Sequence, residues 1–320
     1  MFRSLDAIMS SVVEKNAHMR LAVAACAESH ALMAALEARD IGLVVPYLVG
    51  DMEKAAAIAQ EHGKDLDGCT LVHEENPNEA AKMAVTAVQQ GDADVLMKGL
   101  INTDDFLRAV LNRRTGIASG GVLSHVAVCA LPDMSSASFL GAPVTCRSAN
   151  DSRLVCVTDC AMNISPNLQR KLEIVRNALG VVRGLGLGTP YVAMLAATEK
   201  VMLPAMPATL DAQLIARMAD QGEFGDDVLV AGPMALDVAV SANVAERKGI
   251  HDPVAGRANI LCAPDIESGN ILYKALTTLL CTEMAGVLVG TTAPVVMSSR
   301  GDTQRTKLLS IALAAHLASV

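Results

Sequence analysis

Aromatic residues are nearly absent from this sequence of 320 residues. They make up 2% of it, and it contains no tryptophan. Hydrophobic residues make up 52%, so the core has to be built from Ala, Val, Leu, Ile and Met. Aliphatic runs of this kind are typical of strands that are buried on both faces of a parallel sheet. A chain of this length is expected to form about two domains.

Long apolar runs are missing as well. No continuous apolar stretch approaches about 18 residues, which argues against a membrane-spanning helix. Near the N-terminus, charged residues such as Arg3, Asp6 and Lys15 interrupt the apolar ones, so the order of a signal peptide is not found. The sequence therefore predicts no association with a membrane.

Paired cysteine motifs and an excess of basic charge are also lacking. The eight cysteines are scattered and none forms a CxxC pair. Most lie in apolar runs, where a free cysteine behaves as a small hydrophobic residue, so we predict reduced thiols, a cytoplasmic protein and no metal site. The formal charge of −8 argues against binding to nucleic acid, which requires a basic field. An anionic substrate would need locally placed Arg and Lys.

Strand-like and helix-like segments alternate through the first part of the chain. Residues 44–49 and 70–73 are predicted to be strands, and residues 78–90 a helix. This alternation predicts right-handed crossovers and a parallel sheet, that is, an α/β fold. The pattern loosens over residues 132–153, which we interpret as the crossing between two domains. An amphipathic helix over residues 307–318 is predicted to pack back on the first domain.

A polar stretch near the C-terminus is the first candidate site. Residues 295–297 are predicted to end a buried strand, and Ser299, Arg300 and Asp302 follow directly. Ligands of open parallel sheets bind just beyond the C-terminal ends of the strands. A hydroxyl, a guanidinium and a carboxylate at this position suit a small anion that undergoes group transfer. The alternative is a turn whose Ser and Asp merely cap the next helix.

Two earlier segments carry weaker signals. Lys98 and Gly99 follow the predicted strand 95–97, where the backbone can approach an anion. Thr103 is predicted to be the N-cap of the next helix, and capping accounts for that residue better than for Lys98. Further on, Ser165 is predicted to cap a helix that begins at the following proline.

A third candidate is the loop 266–270, which leads into a helix predicted to begin at residue 271. Ser268, Gly269 and Asn270 form a turn that offers N–H groups to an anion, and Lys274 is placed in the first turn of the helix. An ordinary tight turn with a normal cap is the alternative interpretation.

Several separated segments, in this order, resemble the phosphate acetyltransferase and phosphate butyryltransferase family, and most closely its butyryltransferase-like branch. The segments are residues 96–108, 123–126, 158–164, 208–212, 232–237, 264–274 and 293–302. The resemblance covers nearly the whole chain. It implies a two-domain α/β fold with a parallel sheet, like that of the isocitrate and isopropylmalate dehydrogenases, an active site in the cleft between domains, and a homodimer.

The resemblance also implies a reaction. It is reversible acyl transfer, of acetyl or butyryl, between acyl-CoA and inorganic phosphate, giving an acyl phosphate and CoA. CoA is then a substrate and no cofactor is expected. Domain 1 is predicted to comprise residues 1–145 and 302–320, and domain 2 residues 146–301. The long N-terminal extension of some acetyltransferases is not found, so we expect the catalytic unit alone.

Individual residues take roles from the same resemblance. The Ser-Arg pair of the family falls on Ser299 and Arg300. Its Tyr-Lys pair near the phosphate falls on Tyr273 and Lys274, and Ser124 matches a serine position in its cleft. Lys98, Ser268, Gly269 and Asn270 are assigned with Ser124 and Lys274 to substrate binding.

The general base is where this chain departs from part of the family. In the acetyltransferase branch a carboxylate lies several residues after the Ser-Arg pair, whereas residues 303–306 are Thr, Gln, Arg and Thr. Asp302 lies nearer the pair, as in the butyryltransferase-like branch, and is the candidate base. The identity of the base stays open.

Three other functions are considered. An acyl-carrier-protein:phosphate acyltransferase of the same fold would share the product. A decarboxylating dehydrogenase would need a nicotinamide site and clustered carboxylates for a divalent metal, and neither is found in the sequence. A non-catalytic CoA- or anion-binding relative would keep the fold without turnover. The intact Ser299-Arg300 stretch speaks against the last of these, and an assay decides it.

Overall fold

The computed structural model describes residues 2–15, 18–132, 152–297 and 301–320. The chain packs as two units. The terminal unit comprises Leu5–Leu123 and Met284–Val320, and the central unit comprises Met1–Ser4 and Ser124–Glu283. The predicted domain boundaries stay predictions, and the one at residues 145/146 lies outside the described residues.

The described residues form strands and helices that mostly alternate along the chain. The strands are β1 (Arg20–Ala24), β2 (Val45–Gly50), β3 (Thr70–His73), β4 (Val95–Lys98), β5 (Ser124–Pro132), β6 (Ser152–Thr158), β7 (Tyr191–Leu195), β8 (Leu229–Met234), β9 (Ile260–Cys262), β10 (Met284–Val289) and β11 (Val295–Val296). The helices are α1 (Leu5–Lys15), α2 (Ser29–Asp40), α3 (Met52–Glu61), α4 (Pro77–Gln90), α5 (Thr103–Val110), α6 (Leu168–Gly184), α7 (Ala208–Asp220), α8 (Leu236–Val240), α9 (Ala242–Arg247), α10 (Ile266–Lys274) and α11 (Gln304–Ala318). A π-helical segment, Ala275–Leu279, continues α10.

In the terminal unit the strands lie in the order β3-β2-β1-β4-β11-β10. Neighbouring strands are parallel except β10 and β11. Strand β11 pairs with β4, with Val296 beside Met97, and also with β10, so that both β10 and β11 belong to this unit. The carboxyl ends of β1, β2, β4 and β11 meet at one edge of the sheet, since these strands are parallel.

Helix α11 closes one side of the terminal unit. It packs against α1, α2 and β10. All its residues from Lys307 to His316 are buried, so the helix is enclosed on all sides, whereas the sequence predicted an amphipathic one. A buried lysine at position 307 is a consequence of this packing.

In the central unit the strands lie in the order β5-β6-β9-β7-β8. Only the β5–β6 pair is antiparallel among the described strands of this unit. The predicted α/β fold with a mainly parallel sheet is thus confirmed. None of the helices in the described ranges combines the length and the hydropathy that crossing a membrane requires.

Two helices begin later or with a different cap than predicted. The N-cap of α5 is Asn102, and Thr103 is its first helical residue. The N-cap of α6 is Asn167, whose side chain accepts a hydrogen bond from the N–H of Arg170 at 3.0 Å. Ser165 therefore does not cap α6. Asn is as good a cap as Ser or Thr, so residue type alone did not distinguish these positions.

Candidate active site

The candidate residues that the structure describes lie in both units. Lys98 and Asp302 belong to the terminal unit, and Ser124, Ser268, Gly269, Asn270 and Lys274 belong to the central unit. Ser299 and Arg300, the pair on which the sequence analysis depends most, lie outside the described residues. The predicted roles of that pair stay predictions.

Lys98 is the last residue of β4 and is half-buried at the carboxyl edge of the terminal sheet. Its Nζ lies 3.4 Å from the carbonyl oxygen of Gly99. A Cβ at Gly99 would lie 2.4 Å from the carbonyl oxygen of Ala25, so only glycine lets the chain after β4 pass this close to the chain after β1. The close approach of Gly99 to Ala25 therefore fixes the position of the backbone directly after Lys98.

Asp302 lies shortly before α11, and a buried lysine holds its backbone. The Nζ of Lys307, in the first turn of α11, donates to the carbonyl oxygen of Asp302 at 3.2 Å. Lys307 is only 3% exposed. Burial lowers the pKa of Lys307, while Asp302 and Glu28 act in the opposite direction. Lys307 was not among the predicted site residues, and its signal in the sequence is a lysine directly before the apolar part of the helix.

The Ser-Gly-Asn turn of the central unit proves to be the first part of α10. The N-cap is Asp265, whose Oδ1 accepts from the N–H of Ser268 at 2.8 Å. The N–H of Gly269 donates to the carbonyl oxygen of Asp265. The helix begins at Ile266, earlier than predicted, so Lys274 lies in its last turn and not in its first. The N–H groups of Ser268 and Gly269 thus serve the helix itself.

Asp159, which the sequence analysis did not select, is the centre of a hydrogen-bonding network. It is buried and follows β6. Its Oδ1 accepts from the N–H groups of His125, Ala161 and Met162 at 3.2, 2.9 and 3.0 Å. Its Oδ2 accepts from the N–H and the Nδ2 of Asn163 at 3.1 and 2.5 Å. Hydrogen bonds of this number offset the cost of burying a carboxylate.

Helix α10 is held directly against this network. A Cβ at Gly269 would lie 2.1 Å from the carbonyl oxygen of Asp159, so no larger residue fits there without displacement of the helix. The Nδ2 of Asn270 donates to the carbonyl oxygen of Cys160 at 3.2 Å. Gly269 and Asn270, predicted to bind substrate, thus have a structural role that their sequence pattern did not reveal.

The last turn of α10 brings a positive charge next to two rings. The Nζ of Lys274 lies 4.8 Å from the centroid of the Tyr273 ring. The rings of Tyr273 and His125 meet edge to face, with centroids 6.0 Å apart. Ser124 precedes His125 in β5, is fully buried, and accepts a hydrogen bond from the Nδ2 of Asn177 at 2.9 Å. The structure thus brings Lys274, Tyr273 and His125 together, as neighbours of the Asp159 network.

A cavity of about 740 Å³ lies within the central unit, beyond the carboxyl ends of β7 and β9. Ser268 lines it, so one of the predicted substrate-binding residues borders this space. Elsewhere in the described ranges, no group of three His, Cys, Asp or Glu side chains is arranged to hold a metal ion.

Comparison with known proteins gives a consistent result. Residues 73–315 match the family described as "Phosphate acetyl/butaryl transferase". A phosphate butyryltransferase from Clostridium acetobutylicum is 40% identical over 318 residues, which cover 99% of each chain. A phosphate acetyltransferase from Rhizobium meliloti is 38% identical over 285 residues, which cover 89% of this chain and 84% of that protein.

Solved structures agree with these relatives. A branched-chain phosphotransacylase from Enterococcus faecalis V583 superposes with a TM-score of 0.78 at 29% identity, covering 94% of this chain and 99% of that one. A 4-hydroxythreonine-4-phosphate dehydrogenase from Klebsiella pneumoniae superposes with a TM-score of 0.53 at 12% identity, covering 94% of this chain and 100% of that one. The second likeness concerns the fold alone, and it confirms the predicted dehydrogenase-like fold class.

Proposed function

The chain belongs to the phosphate acetyl/butyryltransferase family, and we propose that it transfers a short acyl group, acetyl or butyryl, reversibly between CoA and inorganic phosphate. The observation that carries this proposal is the match to a phosphate butyryltransferase over 99% of both chains. The protein is a phosphate acyltransferase. Its substrates are an acyl-CoA and phosphate, its products are an acyl phosphate and CoA, and no further cofactor is required.

Binding of phosphate depends on cations at the predicted site. Arg300 holds the phosphate through two parallel N–H donors, a geometry that suits a phosphate better than a single ammonium does. Lys274 adds a second charge, and its position against the Tyr273 ring limits its motion. Lys98, at the end of β4, contributes a third cation toward the phosphate groups of CoA.

The acyl group moves by direct attack. A phosphate oxygen attacks the thioester carbonyl, forming an O–C bond and a tetrahedral oxyanion, which then expels the CoA sulfur as the C–S bond breaks. Ser299 donates its Oγ–H to the oxyanion, and loss of such a donor costs roughly 3 kcal/mol in the transition state. Holding both substrates in one geometry supplies much of the remaining acceleration.

In the reverse direction a base has to remove the proton of the CoA thiol. Asp302 is the candidate carboxylate. The hydrogen bond from Lys307 to its backbone carbonyl supports this assignment, because it holds the segment in which Asp302 lies. A covalent acyl-enzyme on Ser299 would instead need an activating base close to that hydroxyl.

The assembly is a homodimer in this proposal. Three large apolar side chains, one in α10 and two at the end of the π-helical segment and directly after it, are mostly exposed: Ile271 at 69%, Leu279 at 77% and Leu280 at 65%. Large exposed apolar side chains in one region mark interaction surfaces. Light scattering at several protein concentrations tests this, and a monomeric mass throughout would reject it.

We place the protein in the cytoplasm. The cysteines in the described ranges are free thiols, and burial raises the pKa of Cys26, Cys129 and Cys262 to about 12. Free, unreactive thiols are typical of proteins in a reducing compartment.

A thiol-release assay tests the function. The purified protein is incubated with phosphate and a series of acyl-CoAs from acetyl to octanoyl, and each reaction is repeated without phosphate. We expect CoA release that depends on phosphate and is fastest with short acyl groups. No phosphate-dependent release with any acyl-CoA would reject the proposal, and release only from acyl-carrier-protein thioesters would favour the alternative acyltransferase.

A further inference from the structure

The cavity of the central unit is built by two strands and four helices. It lies beyond the carboxyl ends of the parallel neighbours β7 and β9, and residues of α6, α7, α8 and α10 border it. Leu195, Met206, Leu236 and Leu272 contribute large apolar side chains to its wall. In α/β proteins, ligand sites occupy this position relative to the strands.

The size of the cavity indicates which part of a substrate it can hold. At roughly 30 Å³ for each group the size of a water molecule, a butyryl group fills roughly 150 Å³ and the pantetheine arm of CoA roughly 550 Å³. The cavity measures about 740 Å³. A short acyl group would leave most of it empty, whereas there is room for the arm together with a short acyl group.

The polar groups of the cavity suit a chain that contains amides. Lys171 of α6 lines it, is only 3% exposed, and pairs with Asp211 of α7 at 2.8 Å. An ammonium has three N–H donors, and in the part of the chain described here the hydrogen bond of Lys171 Nζ goes to Asp211. A second N–H of the Lys171 ammonium can donate to a carbonyl oxygen of a ligand. The start of α7 at Ala208 also lines the cavity, and the N–H groups of Thr209 and Leu210 donate to the carbonyl oxygens of Met206 and Pro207.

We propose that this cavity binds the pantetheine arm of the acyl-CoA, with an amide carbonyl of the arm accepting a hydrogen bond from Lys171. The dimethyl and methylene groups of the arm pack against the four apolar side chains of the wall. This inference rests on the proposed function. Ser268, on the border of the cavity, connects it with the segment predicted to bind substrate.

Two variants and two ligands test the assignment by calorimetry. Ala196→Leu fills the cavity, since Ala196 lies in its wall, and Lys171→Met keeps the length of the side chain but removes its donors. The matched control is Ala57→Leu, at an exposed position of α3. The ligands are CoA and adenosine 3′,5′-bisphosphate, which keeps the charged nucleotide part and lacks the arm.

The expected result separates the arm from the nucleotide. Ala196→Leu and Lys171→Met should each weaken CoA binding about tenfold or more, leave the binding of the nucleotide unchanged, and raise the KM for acetyl-CoA without raising that for phosphate. Ala57→Leu should change none of these. Thermal unfolding identifies a variant that no longer folds, and in that case the other variant decides.

Three results would overturn the inference: unchanged CoA binding in folded variants, equal weakening of CoA and nucleotide, or a change only in the preference between acetyl-CoA and butyryl-CoA. The last result would assign the cavity to the acyl chain. A wild-type protein that binds CoA through this cavity but shows no phosphate-dependent turnover would refute the proposed function and leave the inference standing.

Discussion

The candidate residues of the two units are held in place by different means. In the central unit, Gly269 and Asn270 are fixed by contacts with the segment around Asp159, whose buried carboxylate accepts several hydrogen bonds. In the terminal unit, Lys98 is the last residue of β4, whose parallel pairing with β11 positions it, and the Nζ of Lys307 donates to the carbonyl oxygen of Asp302. A network around a buried carboxylate supports the candidate residues of one unit, whereas strand pairing and a single buried lysine support those of the other.

Because of this difference, substitutions in the two units should have different effects on stability and on activity. A substitution in the Asp159 network disturbs contacts on which the central unit depends, so it should lower the free energy of unfolding. A side chain that leaves the end of a strand can be changed while the strand pairing stays intact. Substitutions in the segment after β11 should therefore reduce activity with little loss of stability.

The largest effect on activity is expected for Arg300→Ala. Loss of the bidentate phosphate contact should lower kcat/KM by about 10³-fold and raise the KM for phosphate, while the midpoint of thermal unfolding stays near that of the wild type. Steady-state kinetics with varied phosphate measures this. Arg108→Ala, an exposed arginine of α5, is the control and should be fully active. Near-normal turnover of Arg300→Ala would remove Arg300 from the site.

Ser299→Ala should mainly lower kcat. Loss of one donor to the oxyanion is expected to reduce kcat about 10²-fold, since the contact forms only in the transition state. The KM values for acyl-CoA and phosphate should change little. Ser298→Ala tests the neighbouring hydroxyl and should keep nearly full turnover. A Ser299 variant with raised KM and normal kcat would assign this serine to substrate binding instead.

Gly269→Ala should be destabilising. The added Cβ would lie 2.1 Å from the carbonyl oxygen of Asp159, and such overpacking typically costs about 1–3 kcal/mol or more. Gly180→Ala is the matched control. Gly180 is an exposed position of α6 where an added Cβ meets nothing within 4 Å, so alanine should raise stability by about 0.5–1 kcal/mol. Urea unfolding of both variants measures the difference, and equal effects would show that the contact with Asp159 does not restrict the residue at position 269.

The smallest effect is a pH dependence due to Lys307. Burial lowers its pKa in the folded protein, whereas an unfolded chain titrates lysine near about 10.4. Between these two values the unfolded state binds more protons, so this residue makes the free energy of unfolding rise with pH in that window. The Lys307→Met variant has no ammonium at this position, so its free energy of unfolding should lack this contribution to the pH dependence.

Urea unfolding of the wild type and of Lys307→Met at pH 8 and pH 10 measures this dependence. The wild type should gain stability relative to the variant as the pH rises. Lys200→Met replaces an exposed lysine and is the control. Its free energy of unfolding should change with pH by the same amount as that of the wild type. A difference between wild type and Lys307→Met that does not change with pH would show that Lys307 is charged in both states over this range.

Much of the fold could be predicted because its signals are local. Strand β3 has the bounds that alternation and turn residues indicated, and α4 begins one residue earlier than predicted. The pairing of distant strands could not be predicted in this way. Strands β11 and β4 are far apart in sequence, and no local pattern reports a contact of that range.

The same distinction between local signals and distant contacts applies to the candidate site. The sequence by itself determined the family, and it predicts Ser299, Arg300 and Lys274 as site residues, because short motifs preserve residue type and order. The tertiary structure decided that Asp159 and Lys307 matter, since a buried carboxylate or ammonium differs from an exposed one only in its surroundings. Whether a charge is buried and which donors or acceptors surround it depends on packing between distant segments, and this is what the structure adds.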